Sequence, residues 1–353
     1  MQKTKRFTSL AAIVALGTLA AACGSDSKTT ATNAPTTVAS GATTPAASSN
    51  ITAGVAFDTG GRGDGTFNDS AGRGLDQAVS ELGVKKIELE ATKDEDRKTN
   101  LDLLVQQKAN PVIGVGFLFG DPMLALAKAT PGTTFAIVDS VVDAPNVRSL
   151  VFAENEGSFL VGAAAALKSK TGHIGFIGGQ EIDLIKKFEA GYIAGAKAVN
   201  PAIKVDSKYL GAAGDNSAWG NVAGAKEIAK GWYDAGADVI YTAAGGSGAG
   251  TIQAAVEADK WAIGVDSDQY LIAKPDEQKH ILTSMLKRVD VAVFQTIKAV
   301  ADGDTKGGII TFDLKSDGVG YATSGGFVDE FKTQLDGFKA DIISGKIVVP
   351  TKP

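Results

Sequence analysis

The 353-residue chain has one cysteine, Cys23, and only two histidines, His173 and His280. A single cysteine excludes an internal disulfide. Two histidines so far apart form no paired-histidine zinc motif, and no Walker loop or nucleophile elbow occurs. Basic charge is not in excess: 35 Lys and Arg stand against 40 Asp and Glu, a net charge of −5. That balance argues against a nucleic-acid partner, which selects a basic face. Beyond the first two dozen residues no run reaches eighteen apolar residues, the length a membrane-spanning helix needs. These absences lower the expectation of an enzyme and leave a binding function in view. No metal and no cofactor is expected.

The first residues read MQKTKRFTSLAAIVALGTLAAAC. A basic head (Lys3, Lys5, Arg6) precedes an apolar stretch of about fifteen residues, which suits a secretory signal rather than a span. Leu19-Ala20-Ala21-Ala22-Cys23 resembles a bacterial lipoprotein processing site, with Ala20 where the leucine usually stands. Residues 1–22 are therefore expected to be a signal peptide and Cys23 a lipidated anchor on the extracytoplasmic face of the membrane. Residues 24–50 are Ser, Thr, Ala, Pro and Gly with almost no large apolar side chain. Such a segment cannot bury enough surface to offset its ordering entropy and reads as a tether. A glycosylated stalk has the same composition.

From residue 51 short apolar runs alternate with amphipathic segments. Candidate strands are ITAGVAF, KKIELE, PVIGVGF, TTFAIVD and VRSLVF, then HIGFIGG, IKVDSKYL, ADVIYTAA and WAIGVD. Helical patterns such as SAGRGLDQAVSELG and NVAGAKEIAKGWYDAGA lie between most of them. This is an α/β chain with parallel sheets. The series runs twice, with a break near residues 154–172, and the length exceeds one typical core. Two doubly wound lobes would bring the loops at their strand ends into one cleft.

Two loops attract attention. DTGGRGDGTFNDS (58–70) follows the first strand, and its glycines permit left-handed turns. Asn68 or Asp69 suits a helix cap, whereas Phe67 on a polar loop needs something flat to pack on. Asp58, Asp64, Asn68 and Asp69 are oxygen donors, but their spacing fails the alternate-position rule of a calcium loop. The second loop, AAGGSGAG, lies between an apolar run and a helix, and Asp266 follows Gly246 by twenty residues. That outline suggests a dinucleotide site, yet no frame of Gly245, Gly246, Gly248 and Gly250 fits G-x-G-x-x-G. Backbone donors at the helix start, and an aspartate able to hold two ribose hydroxyls, need no pyrophosphate. Glu154 and Glu156 are expected to be a solvated or helix-capping pair, and His173 to sit at a strand edge rather than act as a base.

GVAFDTGGRGDGTFNDSAGRGL resembles the first-strand signature of the basic membrane protein family, the nucleoside-binding lipoproteins of ABC importers. The resemblance continues through FAIVDS, SLVFAENEGSFLVGAAAAL, HIGFIGGQEIDLIKKFEAGYIAGAKAVNP, ADVIYTAAGGSGAG, WAIGVDSDQ and ILTSMLKRVD. It implies a type I periplasmic-binding-protein fold, two α/β lobes joined by hinge crossovers. The expected lobes are residues 51–155 plus about 283–305, and 156–282 plus about 306–353. It implies a monomer that closes on a nucleoside, purine favoured, and delivers it to an ABC permease. Phe67 matches a base-stacking aromatic, Asp58 and Asn68 match groups reading the base, Asp266 the ribose carboxylate, Lys287 the lysine beside it, and Gly246 a backbone contact. The family's second aromatic is missing: YLGAAGDNSAWGN has Ala213 and Gly214 in its place, and Trp219 is the substitute from a shifted position. A sugar-binding protein of the same fold, a surface enzyme and a ligand-sensing receptor are the rivals.

Overall fold

The computed structural model describes residues 50–353. The signal, Cys23 and tether expectations fall outside these residues. In chain order the first lobe is built from β1 (Thr52–Phe57), α1 (Phe67–Leu82), β2 (Lys85–Glu90), α2 (Asp94–Gln106), β3 (Val112–Val115), α3 (Gly120–Ala129), β4 (Phe135–Val138) and β5 (Val147–Phe152). The second follows with α4 (Glu154–Lys168), β6 (His173–Gln180), α5 (Asp183–Val199), β7 (Lys204–Gly211) and α6 (Val222–Asp234). It continues through β8 (Val239–Ala243), α7 (Gly248–Ala258), β9 (Trp261–Asp266), α8 (Pro275–Gln278) and β10 (Ile281–Lys287). The chain then returns to the first lobe with α9 (Val289–Ala301) and β11 (Gly308–Phe312). It ends in the second with β12 (Val319–Tyr321) and α10 (Lys332–Ile343).

The two six-stranded sheets have the orders β11-β5-β4-β3-β1-β2 and β12-β10-β9-β8-β6-β7. Every pairing is parallel except β10 with β12. Central strands β3 and β4 are buried along their whole length, which is why they read as unbroken apolar runs. The α/β two-lobed architecture expected from the alternation is therefore present.

The last segments divide differently from the expected bounds. Residues 283–287 belong to β10, which pairs with β9 in the second sheet, and β11 at 308–312 pairs with β5 in the first. Strand pairing over long sequence separations decides this, and local pattern does not report it. The chain thus crosses between lobes after β5, after β10 and after β11.

Small residues set how closely the helices pack. α4 and α5 cross at Gly162, Gly191 and Gly195. A Cβ on these would lie 2.1, 2.1 and 1.9 Å from the carbonyl oxygens of Tyr192, Asn155 and Phe159. α1 packs on α9 in the same way, with Gly74 against the Asp290 carbonyl. The sheets therefore hold their strand ends, and the loops on them, on a rigid frame.

Candidate functional site

The loops at the carboxyl ends of both sheets enclose a cavity of about 260 Å³. All seven ligand-binding residues expected from the sequence line it: Asp58, Phe67, Asn68, Trp219, Gly246, Asp266 and Lys287.

From the first lobe, Asp58 leaves the end of β1. Its Oδ1 accepts from the Thr59 amide at 2.7 Å and from Arg97 Nε at 2.8 Å. No donor among the described residues reaches its Oδ2. Asn68 is 3% exposed and fixed at both ends. Its Oδ1 accepts from the Asp58 amide (3.3 Å) and its Nδ2 donates to Asp64 (3.1 Å). The capping role expected of Asn68 or Asp69 belongs to Asp64, which accepts from the amides of Thr66, Asn68 and Asp69 at 2.9, 2.9 and 3.1 Å. Asp69 instead turns back to the Gly63 and Gly65 amides, both at 2.8 Å, and ties the glycine loop down. Phe67, freed from capping geometry, presents its ring to the cavity.

From the second lobe, Trp219 ends a short 3₁₀ turn, Asn216–Trp219. Its indole packs against Gly179 of β6. A Cβ on Gly179 would come within 2.2 Å of the ring, so only glycine fits there. Trp219 meets Phe117 of the first lobe edge-on, with ring centroids 6.4 Å apart at 70°. Gly246 lies in the turn Gly245–Ser247 that opens α7 and backs onto the Trp219 carbonyl.

Asp266 ends β9 with φ at +63°, a left-handed conformation uncommon for a residue with a side chain. Strain of this kind concentrates at functional sites. The side chain is 8% exposed, and its Oδ1 receives no hydrogen bond from any described residue. Burial pushes its carboxyl up to about 7, against the pull of Lys287, and the neighbouring acids Asp139, Asp64 and Glu154 add to the rise. Lys287 ends β10 and is 2% exposed. Its Nζ donates to Asp139 at 2.7 Å and lies 3.2 Å from Glu154. Burial works against its charge, but Asp139, Glu154 and Asp266 outweigh burial and hold its pKa above the usual lysine value. The ammonium also sits over the Phe67, Phe152 and Phe188 rings at 5.3, 5.0 and 5.5 Å.

Glu154 corrects another expectation. It is no solvated partner of Glu156: it is 1% exposed and bridges Lys287 and Lys187. Glu156 accepts from the Leu314 amide at 3.0 Å. His173 begins β6 and bonds Asp206 at 2.7 Å, far from the cavity lining. Among the described residues no cluster of three or more His, Cys, Asp or Glu is placed to hold a metal, and no helix is long and apolar enough to cross a membrane.

Sequence reading missed Phe117, Leu184, Phe188 and Arg97. Phe117 looked like the last residue of its strand. Gly116, at φ +124°, turns the chain so that Phe117 leaves the sheet for the cavity. Leu184 and Phe188 follow the ordinary apolar rhythm of α5, and nothing in that rhythm separates a cavity wall from a core. Arg97 sits in a run of charges that suggests only a solvated helix start.

A family model described as "ABC transporter substrate-binding protein PnrA-like" matches residues 51–353. The chain is 39% identical over 323 residues to the ABC transporter nucleoside-binding protein BmpA of Lactococcus lactis, covering 86% of this chain and 90% of that one. It is 31% identical over 297 residues to basic membrane protein A of Borreliella burgdorferi, covering 82% and 84%. A solved ABC transporter solute-binding protein from Aeropyrum pernix superposes with a TM-score of 0.72 at 29% identity, covering 85% of this chain and 94% of the other. With this match over the whole folded region, the chain belongs to the Bmp family of ABC transporter substrate-binding proteins.

Proposed function

We propose that this substrate-binding protein captures a nucleoside, with purine favoured, by closing its two lobes over it, and catalyses no reaction. The observation that carries the reading is the Asp266 carboxylate. It is buried beside an aromatic-walled cavity with one oxygen lacking any donor. An unmet buried acceptor costs about 1–3 kcal/mol, and two adjacent ribose hydroxyls supply the missing donors. Phe67, Phe117 and Trp219 offer faces and edges for a planar base. Asp58 Oδ2 accepts from a ring N–H or exocyclic amine, and Asn68 is held rigid beside it. Gly246 lets backbone approach the ligand closely, and Lys287 fixes the charge behind the ribose. The nucleoside-binding name of the Lactococcus relative supports the same class.

A phosphorylated ligand is disfavoured. Asp58, Asp64 and Asp266 line the cavity against one lysine that already pairs with Asp139 and Glu154. Lipid anchoring through Cys23, an extracytoplasmic site facing a permease and a monomeric state complete the reading. Calorimetry with inosine, guanosine, adenosine, uridine, ribose, galactose and a nucleoside monophosphate tests it. Nucleosides should bind at least tenfold more tightly than the matching monophosphate or free ribose. Binding of ribose or galactose with no nucleoside bound would refute the proposal in favour of a sugar receptor.

A further inference from the structure

A line of polar side chains runs from the ligand cavity across the cleft. It begins at Asp58, whose Oδ1 accepts from Arg97 Nε at 2.8 Å. Arg97 is buried and donates through Nη1 to Asp94 Oδ1 at 2.7 Å. The same oxygen of Asp94 accepts from Asn216 Nδ2 at 3.0 Å. Asp94 starts α2 in the first lobe, and Asn216 starts the 3₁₀ turn of the second lobe, so this bond joins the lobes. Asn216 is not free to follow Asp94 wherever it goes. Its Oδ1 accepts from Gln180 Nε2 at 2.9 Å, and Gln180 Oε1 accepts from the Gly214 amide at 2.9 Å. The turn itself is closed by Asp215, which accepts from the Ser217 amide.

The spacing within that turn matters. A 3₁₀ helix repeats every three residues, so residues i and i+3 lie on one face. Asn216 and Trp219 are such a pair. The bond to Asp94 therefore holds the face that carries the cavity's tryptophan, while the other end of the line holds Asp58. One connected set of side chains fixes a polar group on one wall and an aromatic group on the other.

We infer that Asp94, Arg97 and Asn216 are positioning residues that latch the closed cleft, holding Asp58 and Trp219 in register so that the latch sets how long the ligand stays bound. This rests on the nucleoside reading for the identity of the ligand but not for the latch. The bond across the cleft exists only when the lobes are together, so its loss belongs in the release rate. A bond of this exposed, charge-assisted kind is worth about three- to tenfold in a rate. Arg97 bears on both ends and its loss should cost more than either neighbour's.

The test is a double-mutant cycle on Asn216→Ala and Asp94→Ala, with Lys98→Ala as control. Lys98 lies on the same helix and, among the described residues, pairs with Asp102. Stopped-flow binding of inosine should show release about three- to tenfold faster in each single variant and association within about twofold of wild type. The loss in the double variant should be smaller than the sum of the two single losses, because both singles break the shared Asp94–Asn216 bond, while each also loses a partner of its own, Arg97 or Gln180. Additive losses, or slower association with unchanged release, would overturn the latch. The same three variants are also compared without ligand by inter-lobe distance measurement between spin labels. Asn216→Ala and Asp94→Ala should shift the population to longer distances and Lys98→Ala should not; identical distributions would overturn the latch. A wild-type chain that binds none of the nucleosides would sink the nucleoside reading alone, and the unliganded distances would still decide the latch.

Discussion

Asp266 makes binding depend on pH in a direction that can be worked out. Its carboxyl sits at about 7 in the closed cleft because burial disfavours the charged form. In the proposed ribose role the charged form is the acceptor, so ligand binding should expel the proton and affinity should rise with pH up to about 7. At pH 5, two units lower, about one carboxyl in a hundred is ionised, which caps the loss at roughly 100-fold, about 2.7 kcal/mol. An open cleft rehydrates the group and reduces that figure, so a loss of tenfold or more between pH 8 and pH 5 is expected. Stability of the unliganded chain runs the opposite way. The folded carboxyl keeps its proton up to about 7 whereas the unfolded one loses it near 3.8. This group's stabilisation is therefore complete below pH 4 and gone above about pH 7. Calorimetric titration of inosine from pH 5 to 8 is the assay, with Asp266→Asn as reference. The variant should bind about 2 kcal/mol more weakly at pH 8 and show a flat profile. A wild-type profile flat to within twofold would refute the ribose assignment of Asp266.

Two other outcomes follow from the packing. Trp219→Ala should weaken nucleoside binding by about 1–3 kcal/mol, since it removes an aromatic wall of the cavity; an undiminished affinity by calorimetry would move the stacking role to Phe67 and Phe117 alone. Gly191→Ala should destabilise the fold by about 1–3 kcal/mol in urea unfolding, because its new methyl meets the Asn155 carbonyl at 2.1 Å; unchanged stability would mean that α4 and α5 separate at no cost.

The strands and helices were legible because parallel sheets bury whole strands and their helices bury one face. Both leave periodic apolar signals in nearby residues. Asp58 and Asp266 were legible for a related reason. Each follows an apolar run at the carboxyl end of a strand, where this fold class presents ligand groups. The Gly245–Gly246 turn was legible as backbone, though not as a wall behind Trp219. Cys23 was read from the resemblance of the residues before it to a lipoprotein processing site, and the tether from composition; both lie outside the described residues.

Tertiary structure decided the rest, because it depends on residues far apart in the chain. Lys287 is held by Asp139, 148 positions earlier, and its contact with Glu154 likewise reflects the tertiary fold and no local signal. β10 and β11 exchange lobes because their best hydrogen-bonding partners are β9 and β5. Phe117 and Trp219 meet only when two sheets face each other, and the acid–arginine–amide line between them exists only across that gap. The sequence determined that there would be two lobes with polar loops at their strand ends. The closed cleft determined which of those residues lose water, and loss of water gives Asp266 its unmet acceptor.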